Sequence, residues 1–438
     1  MSLFGTSGIR GPVGETVTAD LALSLGRALG VDSERVVVGR DPRTSGEYLQ
    51  SALVAGLRES GTDVIDLGIA ATPTVGRTVG WRDADAGVSV TASHNPPEDN
   101  GLKLWQPSGR AFDAERRERI EERIADDAFE PAPWDAAGSL ESWDAGERHA
   151  TAVIEDLDRR SLDSHVVVDV GNGAGGVTVD ILTDLGCHVE TLNAQPDGAF
   201  PGRPSEPTAE NCGSLATLVG ESDADLGIAH DGDADRMRAV AGDGTYLSGD
   251  ALLAIFARAA ASPGERVAVP VDTSLAVADF LAETDVDVEY TPVGDVHVAA
   301  AASEPGVAFG GEPSGAWIWP EATLCPDGPL AAARVAALDV DRPLSDRIAD
   351  VPDYPIRRAS VEVDAKDAVM ARVREAVLSE YDDVTTLDGV RVDAGDGWFL
   401  VRASGTQPLV RLTAEARDSA RADELLSTAR GLLADARE

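Results

Sequence analysis

The chain has 438 residues, a length that suits about three domains, with two or four also possible. Hydrophobic residues make up 43%, enough for packed cores and too many for a disordered chain. Lysine and arginine number 37 against 77 aspartates and glutamates. The net charge of −40 repels phosphate backbones and anionic lipid, and it excludes nucleic-acid or membrane binding as the main role. Only Lys103 and Lys366 are lysines; the other basic residues are arginines. An acidic, lysine-poor but otherwise ordinary globular sequence points to adaptation to high salt, where screening mutes self-repulsion. Cys187, Cys212 and Cys325 are widely spaced with no CxxC pair, which suits a reducing cytoplasm. The first residues, MSLFGTSGIRG, lack the basic-then-apolar build of a signal peptide, and no run reaches 18 apolar residues.

In chain order, short β-branched runs predict strands at 35–38, 64–67, 87–90, 166–170, 188–192, 226–229, 267–269 and 307–309. Amphipathic stretches between them predict helices, for example at 19–29, 46–59 and 250–261. This alternation argues for α/β units with parallel or mixed sheets. The segment 135–147 (DAAGSLESWDAGE) reads as a linker, with further breaks near 242–249 and 350–355. Beyond them the pattern changes. Residues 359–363 and 389–393 alternate, 397–402 and 409–415 read as strands, and a helix starts near 420. The fold class is therefore three related α/β domains (1–147, 148–242 and 243–350) plus a smaller C-terminal α+β domain (351–438).

Three segments share one layout, an apolar strand running into a polar loop: VSVTASHNP (88–96), LGIAHDGDADR (226–236) and VAFGGEPSG (307–315). In open α/β sheets ligands bind beyond the carboxyl ends of strands, where these loops fall. The second loop carries the strongest signal. Asp231, Asp233 and Asp235 alternate on a tight turn, so they can converge on one hard cation, and without one they repel. An EF-hand does not fit, since the sixth position is Arg236 and the twelfth Gly242. Arg236 adds a fixed positive charge suited to an anionic substrate.

In the first loop Ser93 is placed to carry a covalent group, with His94 beside it and Lys103 soon after. A lysine kept here, in a chain with two, suggests a titratable amine where arginine would not serve. Lys366 lies in a helical stretch and reads as solvated. After the strand near 398–401, Arg402, Ser404, Gly405 and Thr406 make a phosphate cradle of guanidinium, hydroxyls and backbone amides. Glu312 and Ser314 pair a carboxylate and a hydroxyl of the kind that bind sugar hydroxyls. Arg10 sits in a glycine-flanked loop near the start. The run GNGAGG (171–176) fits GxGxxG, with Glu190 about 20 residues on, as a nicotinamide dehydrogenase would have. That reading leaves the other loops without jobs, and the glycines read as a tight strand–helix turn.

Together FGTSGIRG, TASHNP, NGLK, DGDADR, GEPSG and RASGTQP, in this order over nearly the whole chain, resemble the α-D-phosphohexomutase family. The resemblance implies four domains around a central cleft and an enzyme that interconverts sugar 1- and 6-phosphates through a phosphoserine and a bisphosphate. It implies that Ser93 is the phosphoserine and that Asp231, Asp233 and Asp235 hold Mg²⁺, with a phosphate oxygen on Ser93 as a further ligand. Lys103, Arg10 and His94 would assist proton transfer and charge stabilisation, and Arg236 would support the phosphoserine. Glu312 and Ser314 would contact the sugar, and Arg402, Ser404, Gly405 and Thr406 the non-reacting phosphate. A hexose 1,6-bisphosphate would be activator and intermediate. The partners implied are small sugar phosphates, with no nucleic acid and no membrane. Three places depart from the family pattern: Ala316 stands where many members have His, Gln407 where Glu is commoner, and the pair Pro204-Ser205 where Asn-Pro is usual. GEPSGAW most resembles archaeal members acting on glucosamine phosphate, with glucose or mannose phosphate as the alternative. A non-catalytic sugar-phosphate-binding paralogue is a further alternative, opposed by the retained Ser93, Lys103 and Asp triad.

Overall fold

The computed structural model describes residues 3–5, 8–404 and 409–437. Two compact units divide the chain, Met1–Leu252 with Ser314–Ile348, and Leu253–Pro313 with Ala349–Glu438.

The first unit opens with strands β1 (Ile9–Pro12), β2 (Arg35–Arg40), β3 (Asp63–Ile69), β4 (Ala86–Val90), β5 (Asp99–Trp105) and β6 (Leu140–Ser142). They form one sheet in the order β1-β5-β4-β2-β3-β6. β2, β3, β4 and β6 run parallel, while β5 is antiparallel to β4 and β1 antiparallel to β5. Every residue of β4 is buried, as a strand paired on both sides and covered on both faces requires. Helix α1 (Ala19–Gly30) starts at Thr18, whose hydroxyl accepts the Leu21 N–H at 3.1 Å, a cap worth about 1 kcal/mol. It packs on α2 (Gly46–Glu59) so closely that a Cβ on Gly56 would lie 2.2 Å from the Leu23 carbonyl oxygen. Helices α3 (Thr72–Trp81) and α4 (Ala114–Ala125) complete this layer set.

The supposed linker 135–147 is not unstructured. It holds β6, paired parallel with β3, and the start of α5 (Gly146–Asp156). Three residues reading LES show no alternation, so this edge strand is made by its neighbour rather than by local propensity.

A second sheet follows from β7 (His165–Asp169), β8 (His188–Leu192), β9 (Leu226–His230) and β10 (Met237–Ala241), in the order β10-β9-β7-β8. β8 and β9 flank β7 in parallel, and β10 returns antiparallel to β9. Central β9 is wholly buried, whereas the edge strand β8 is largely exposed. Helices α6 (Val177–Asp184) and α7 (Gly213–Gly220) link these strands, and α8 (Gly249–Ala260) follows β10.

In the second unit, β11 (Arg266–Pro270) lies between β12 (Asp287–Thr291) and β13 (Val307–Gly311), all parallel, with α9 (Leu275–Leu281) and α10 (Asp295–Ala302) as crossovers. The chain returns to the first unit through β14 (Trp317–Ile318), α11 (Gly328–Asp341) and α12 (Leu344–Ile348). There the Trp317 indole N–H donates to the Met237 carbonyl at 2.9 Å.

The last stretch is an antiparallel sheet, β15 (Ile356–Glu362), β16 (Val384–Thr385), β17 (Val390–Asp393), β18 (Gly397–Ala403) and β19 (Leu409–Ala416), in the order β15-β19-β18-β17-β16. Helices α13 (Lys366–Glu380) and α14 (Ser419–Asp435) bury Val369, Val373, Val377, Leu425 and Leu433 in its core. Arg402 lies within β18 rather than opening the loop after it. Among the described residues no helix is long and apolar enough to cross a membrane.

Candidate active site

Ser93 follows the carboxyl end of β4, and the Asp231–Asp235 run follows that of β9. The fold brings the two loops together. The Ser93 hydroxyl donates to Asp231 Oδ2 at 2.6 Å, and both residues are buried. Ser93 has φ 54°, in the left-handed region, a conformation a serine adopts only when its surroundings enforce it.

Several residues enforce it, and sequence reading did not single them out. Arg43, fully buried at the end of β2, donates to the carbonyls of Ser93 (2.8 Å), Asn95 (2.7 Å), Pro96 (2.5 Å) and Asp99 (2.9 Å). Asp41 holds that guanidinium at 2.9 Å and accepts from Thr91. Burial pushes the Asp41 carboxyl up to about 6, against the pull of Arg43 and Thr91. Ser205 bridges the two loops, its hydroxyl donating to the Ser93 carbonyl at 2.8 Å and accepting the Gly232 N–H at 3.0 Å. The available signal was β2 itself, since VVVGRDPRTSG repeats the strand-then-polar-loop layout of the other three segments.

Lys103 lies in the middle of β5, opposite Ser89 of β4, and not in a loop. Its buried ammonium donates to Asp233 Oδ2 at 2.8 Å and Asp235 Oδ2 at 2.5 Å. Thr72, at the start of α3, clasps Asp233 twice. Its hydroxyl donates to Oδ2 at 2.7 Å and its N–H to the backbone carbonyl at 2.8 Å.

The three carboxylates are not equivalent. Burial works against charge on Asp233, but the Lys103 ammonium, hydrogen bonds from Lys103 and Thr72, and the Arg10 charge outweigh it and hold the carboxyl below the ordinary range. Burial, then the charges of its two neighbours, raise Asp231 well above that range, and burial and Asp233 raise Asp235. The strain of gathering three buried carboxylates is thus only partly relieved by Lys103.

Two of their oxygens, Asp233 Oδ1 and Asp235 Oδ1, are buried without a hydrogen-bond partner. One oxygen from each of the three residues lies within 4.8 Å of the others. Such an all-oxygen set with orphaned anionic atoms fits a hard divalent cation.

The His94 ring nitrogen Nδ1 lies 3.4 Å from the Ser93 hydroxyl. Burial, then the charges of Arg236, Arg10 and Lys103, lower the imidazole to about 2, so it stays neutral at working pH. A neutral ring suits a hydrogen-bond partner better than a carrier of a full proton charge. Arg10 sits on β1 opposite Gly101. Arg236 donates its backbone N–H to Asp231 Oδ1 at 3.2 Å, and its guanidinium approaches Glu206 at 3.9 Å.

The GNGAGG run packs against the Asp loop. The Ala174 N–H donates to the Gly232 carbonyl at 2.9 Å, and a Cβ on Gly173 would lie 2.7 Å from that same oxygen. These glycines permit a close backbone approach at a strand–helix turn, as their reading without a dinucleotide expected.

In the second unit, Glu312 is buried and accepts the Gly294 N–H at 2.7 Å. Arg402 donates to Asp388 at 3.0 Å. Ser404 is buried, and its N–H bonds the Leu409 carbonyl at 2.8 Å. Lys366 is not solvated as its helical position suggested; it is half-buried, and its ammonium donates to the Ser404 carbonyl at 2.5 Å. Ser314 is half-buried in the first unit. Gly405 and Thr406 lie outside the described residues.

A strained serine hydroxyl against a buried carboxylate triad, ringed by Arg10, Arg236 and Lys103, defines a site for phosphoryl transfer on α/β domains. Known proteins resemble the chain along its whole length. Four successive domains of the phosphoglucomutase/phosphomannomutase family match the chain: alpha/beta/alpha domain I over residues 1–131, domain II over 147–244, domain III over 248–354 and the C-terminal domain over 358–431. The protein named "Probable phosphoglucosamine mutase" of Methanopyrus kandleri is 46% identical over 96% of this chain and 95% of its own length. Its namesake in Methanococcoides burtonii is 44% identical over the full length of both. A crystal structure of a phosphoglucomutase/phosphomannomutase family protein from Burkholderia thailandensis superposes with a TM-score of 0.88 at 30% identity, covering 99% of this chain and 97% of that one. The chain belongs to the phosphoglucomutase/phosphomannomutase family and is a phosphohexomutase, an isomerase that moves phosphate between sugar hydroxyls.

Proposed function

We propose that this phosphohexomutase is a phosphoglucosamine mutase of the cytoplasm, interconverting the 1- and 6-phosphates of glucosamine with phospho-Ser93 as the relay. The observation that carries the relay is the Ser93 hydroxyl held at φ 54° and 2.6 Å from Asp231 by four anchoring hydrogen bonds from Arg43 to its loop. The glucosamine preference rests on the two full-length relatives bearing that name.

In the forward half-reaction the free hydroxyl of a sugar monophosphate attacks the phosphorus on Ser93. The new P–O bond forms on the sugar, the P–Oγ bond breaks, and the proton lost by the attacking hydroxyl ends, net, on the freed Ser93 oxygen. In the second half-reaction Ser93 Oγ gives up its proton and attacks the other phosphate of the bisphosphate; the P–Oγ bond re-forms, the P–O bond to the sugar breaks, and the freed sugar oxygen takes up the proton. Arg10, Arg236 and Lys103 balance charge on the transferring group, and neutral His94 offers Ser93 a hydrogen-bond partner. Asp231, Asp233 and Asp235 would hold Mg²⁺, which when bound neutralises phosphate oxygens. Glu312 and Ser314 would bind the sugar, and Arg402, Ser404, Gly405 and Thr406 the phosphate that stays behind. A hexose 1,6-bisphosphate would prime Ser93.

A coupled assay with the 1-phosphates of glucosamine, glucose and mannose tests the preference. The expected result is highest kcat/KM for glucosamine; equal values for all three would sink the narrow assignment and leave the family intact. Thr72 supplies a second test, because it orients a metal ligand. Thr72→Val is expected to weaken the apparent Mg²⁺ affinity about 10- to 100-fold, with Thr72→Ser close to native, read from turnover against Mg²⁺ concentration.

A further inference from the structure

We propose that His165, His188 and Glu190 form a second metal site, for a borderline cation of the zinc type, that staples the edge strand β8 to β7. Two of the six histidines in the chain, His165 and His188, are register partners on these adjacent parallel strands. Their rings meet edge to face with centroids 4.5 Å apart. Glu190, two residues beyond His188, projects from the same face of the pleat. One donor atom from each of the three lies within 4.8 Å of the others, so little movement separates this arrangement from coordination.

The orientation of His165 adds an independent argument. Its Nδ1 faces Asp223 at 3.4 Å and its Nε2 faces Glu190 at 3.2 Å. A cation in the site would take the Nε2 lone pair and leave the ring proton on Nδ1, where the Asp223 carboxylate is placed to accept it. Metal-binding imidazoles are held this way. The strand is also anchored beneath, since the His165 backbone N–H donates to Asp225 at 2.8 Å. Two imidazoles with one carboxylate suit zinc, nickel or copper, whereas the all-oxygen Asp triad suits magnesium. The two sites are thereby separated in chemistry as well as in place. His165 begins β7 while the triad follows the far end of parallel β9, a strand length of about 15 Å away. The role is structural: β8 is largely exposed and paired on one side only, and a bridging cation would fix it to its neighbour.

The test is a calorimetric titration of the intact protein with Zn²⁺ in excess Mg²⁺, which keeps the Asp triad filled. One equivalent is expected, with a rise in thermal midpoint. His188→Ala should weaken that binding at least about 100-fold and abolish the thermal shift, while Asp223→Asn should weaken it about 10-fold. Both variants should keep native mutase turnover in Mg²⁺, which shows that they fold. No saturable uptake by the native chain overturns the proposal. So does uptake unchanged in His188→Ala, which would be diffuse accumulation on an acidic surface.

Discussion

Ser93→Ala is expected to leave a folded protein whose mutase turnover has fallen by on the order of 10⁴-fold or more, the scale seen when a covalent nucleophile is removed. The substitution removes one hydroxyl and its 2.6 Å bond to Asp231. Structural cost should be small, about 1 kcal/mol, because the loop is held through the Ser93 backbone carbonyl by Arg43 and Ser205 rather than through the side chain. Burial and its charged neighbours already hold the Asp231 carboxyl well above the usual carboxylate range. Ser93→Gly should fold at least as well, since glycine relieves the strain of φ 54°. Intact mass after incubation with a hexose 1,6-bisphosphate reads the chemistry directly. The native chain should gain one phosphate and both variants none. A phosphate still acquired by Ser93→Ala would place the relay on another residue.

Lys103→Met should produce the second large effect, on stability as well as rate. The ammonium is buried and shared between Asp233 and Asp235. Removing one partner of a buried charge cluster leaves carboxylates uncompensated and costs about 3–5 kcal/mol. That loss should be greatest without divalent cation and should shrink as Mg²⁺ is added, because a cation binding the triad replaces the missing charge and stabilises only the folded form. The sign can be checked by chemical denaturation with and without Mg²⁺. An equal loss in both would mean that the lysine supports packing alone. Turnover should stay depressed even in Mg²⁺, since a positive charge beside the transferring group is gone. Lys103→Arg should rescue poorly. A broad planar guanidinium cannot take the place of a compact ammonium in a site this closed.

The chemistry-bearing loops were legible because each is a local pattern: a buried β-branched strand, then a short polar run with Gly or Pro. Ser93, Asp231, Asp233, Asp235 and Glu312 were singled out that way, and the structure brings Ser93 against Asp231. Arg43, Thr72 and Ser205 were not found. Each acts through bonds to a residue tens to more than a hundred positions away, and although Arg43 lies in a strand-then-polar-loop segment, nothing local shows which distant group each one meets. Lys366 misled for the same reason: it opens a helix with an exposed pattern, yet its ammonium ends on the Ser404 carbonyl 38 residues later.

From the amino acids alone came eight strands of the α/β units, though not β1, β5, β6, β10 or β12, together with the acidic composition and a serine and three aspartates beyond strand ends. These follow from side-chain periodicity and turn chemistry, which act over a few residues. Which groups meet was decided by tertiary pairing. The antiparallel return of β5 beside β4 carries Lys103 to carboxylates 130 positions away, and the fold sets Ser93 against Asp231. A buried cation and a strained serine are costly in isolation. They persist because sheet order, fixed by the burial of whole strands, sets them beside the carboxylates that hold them.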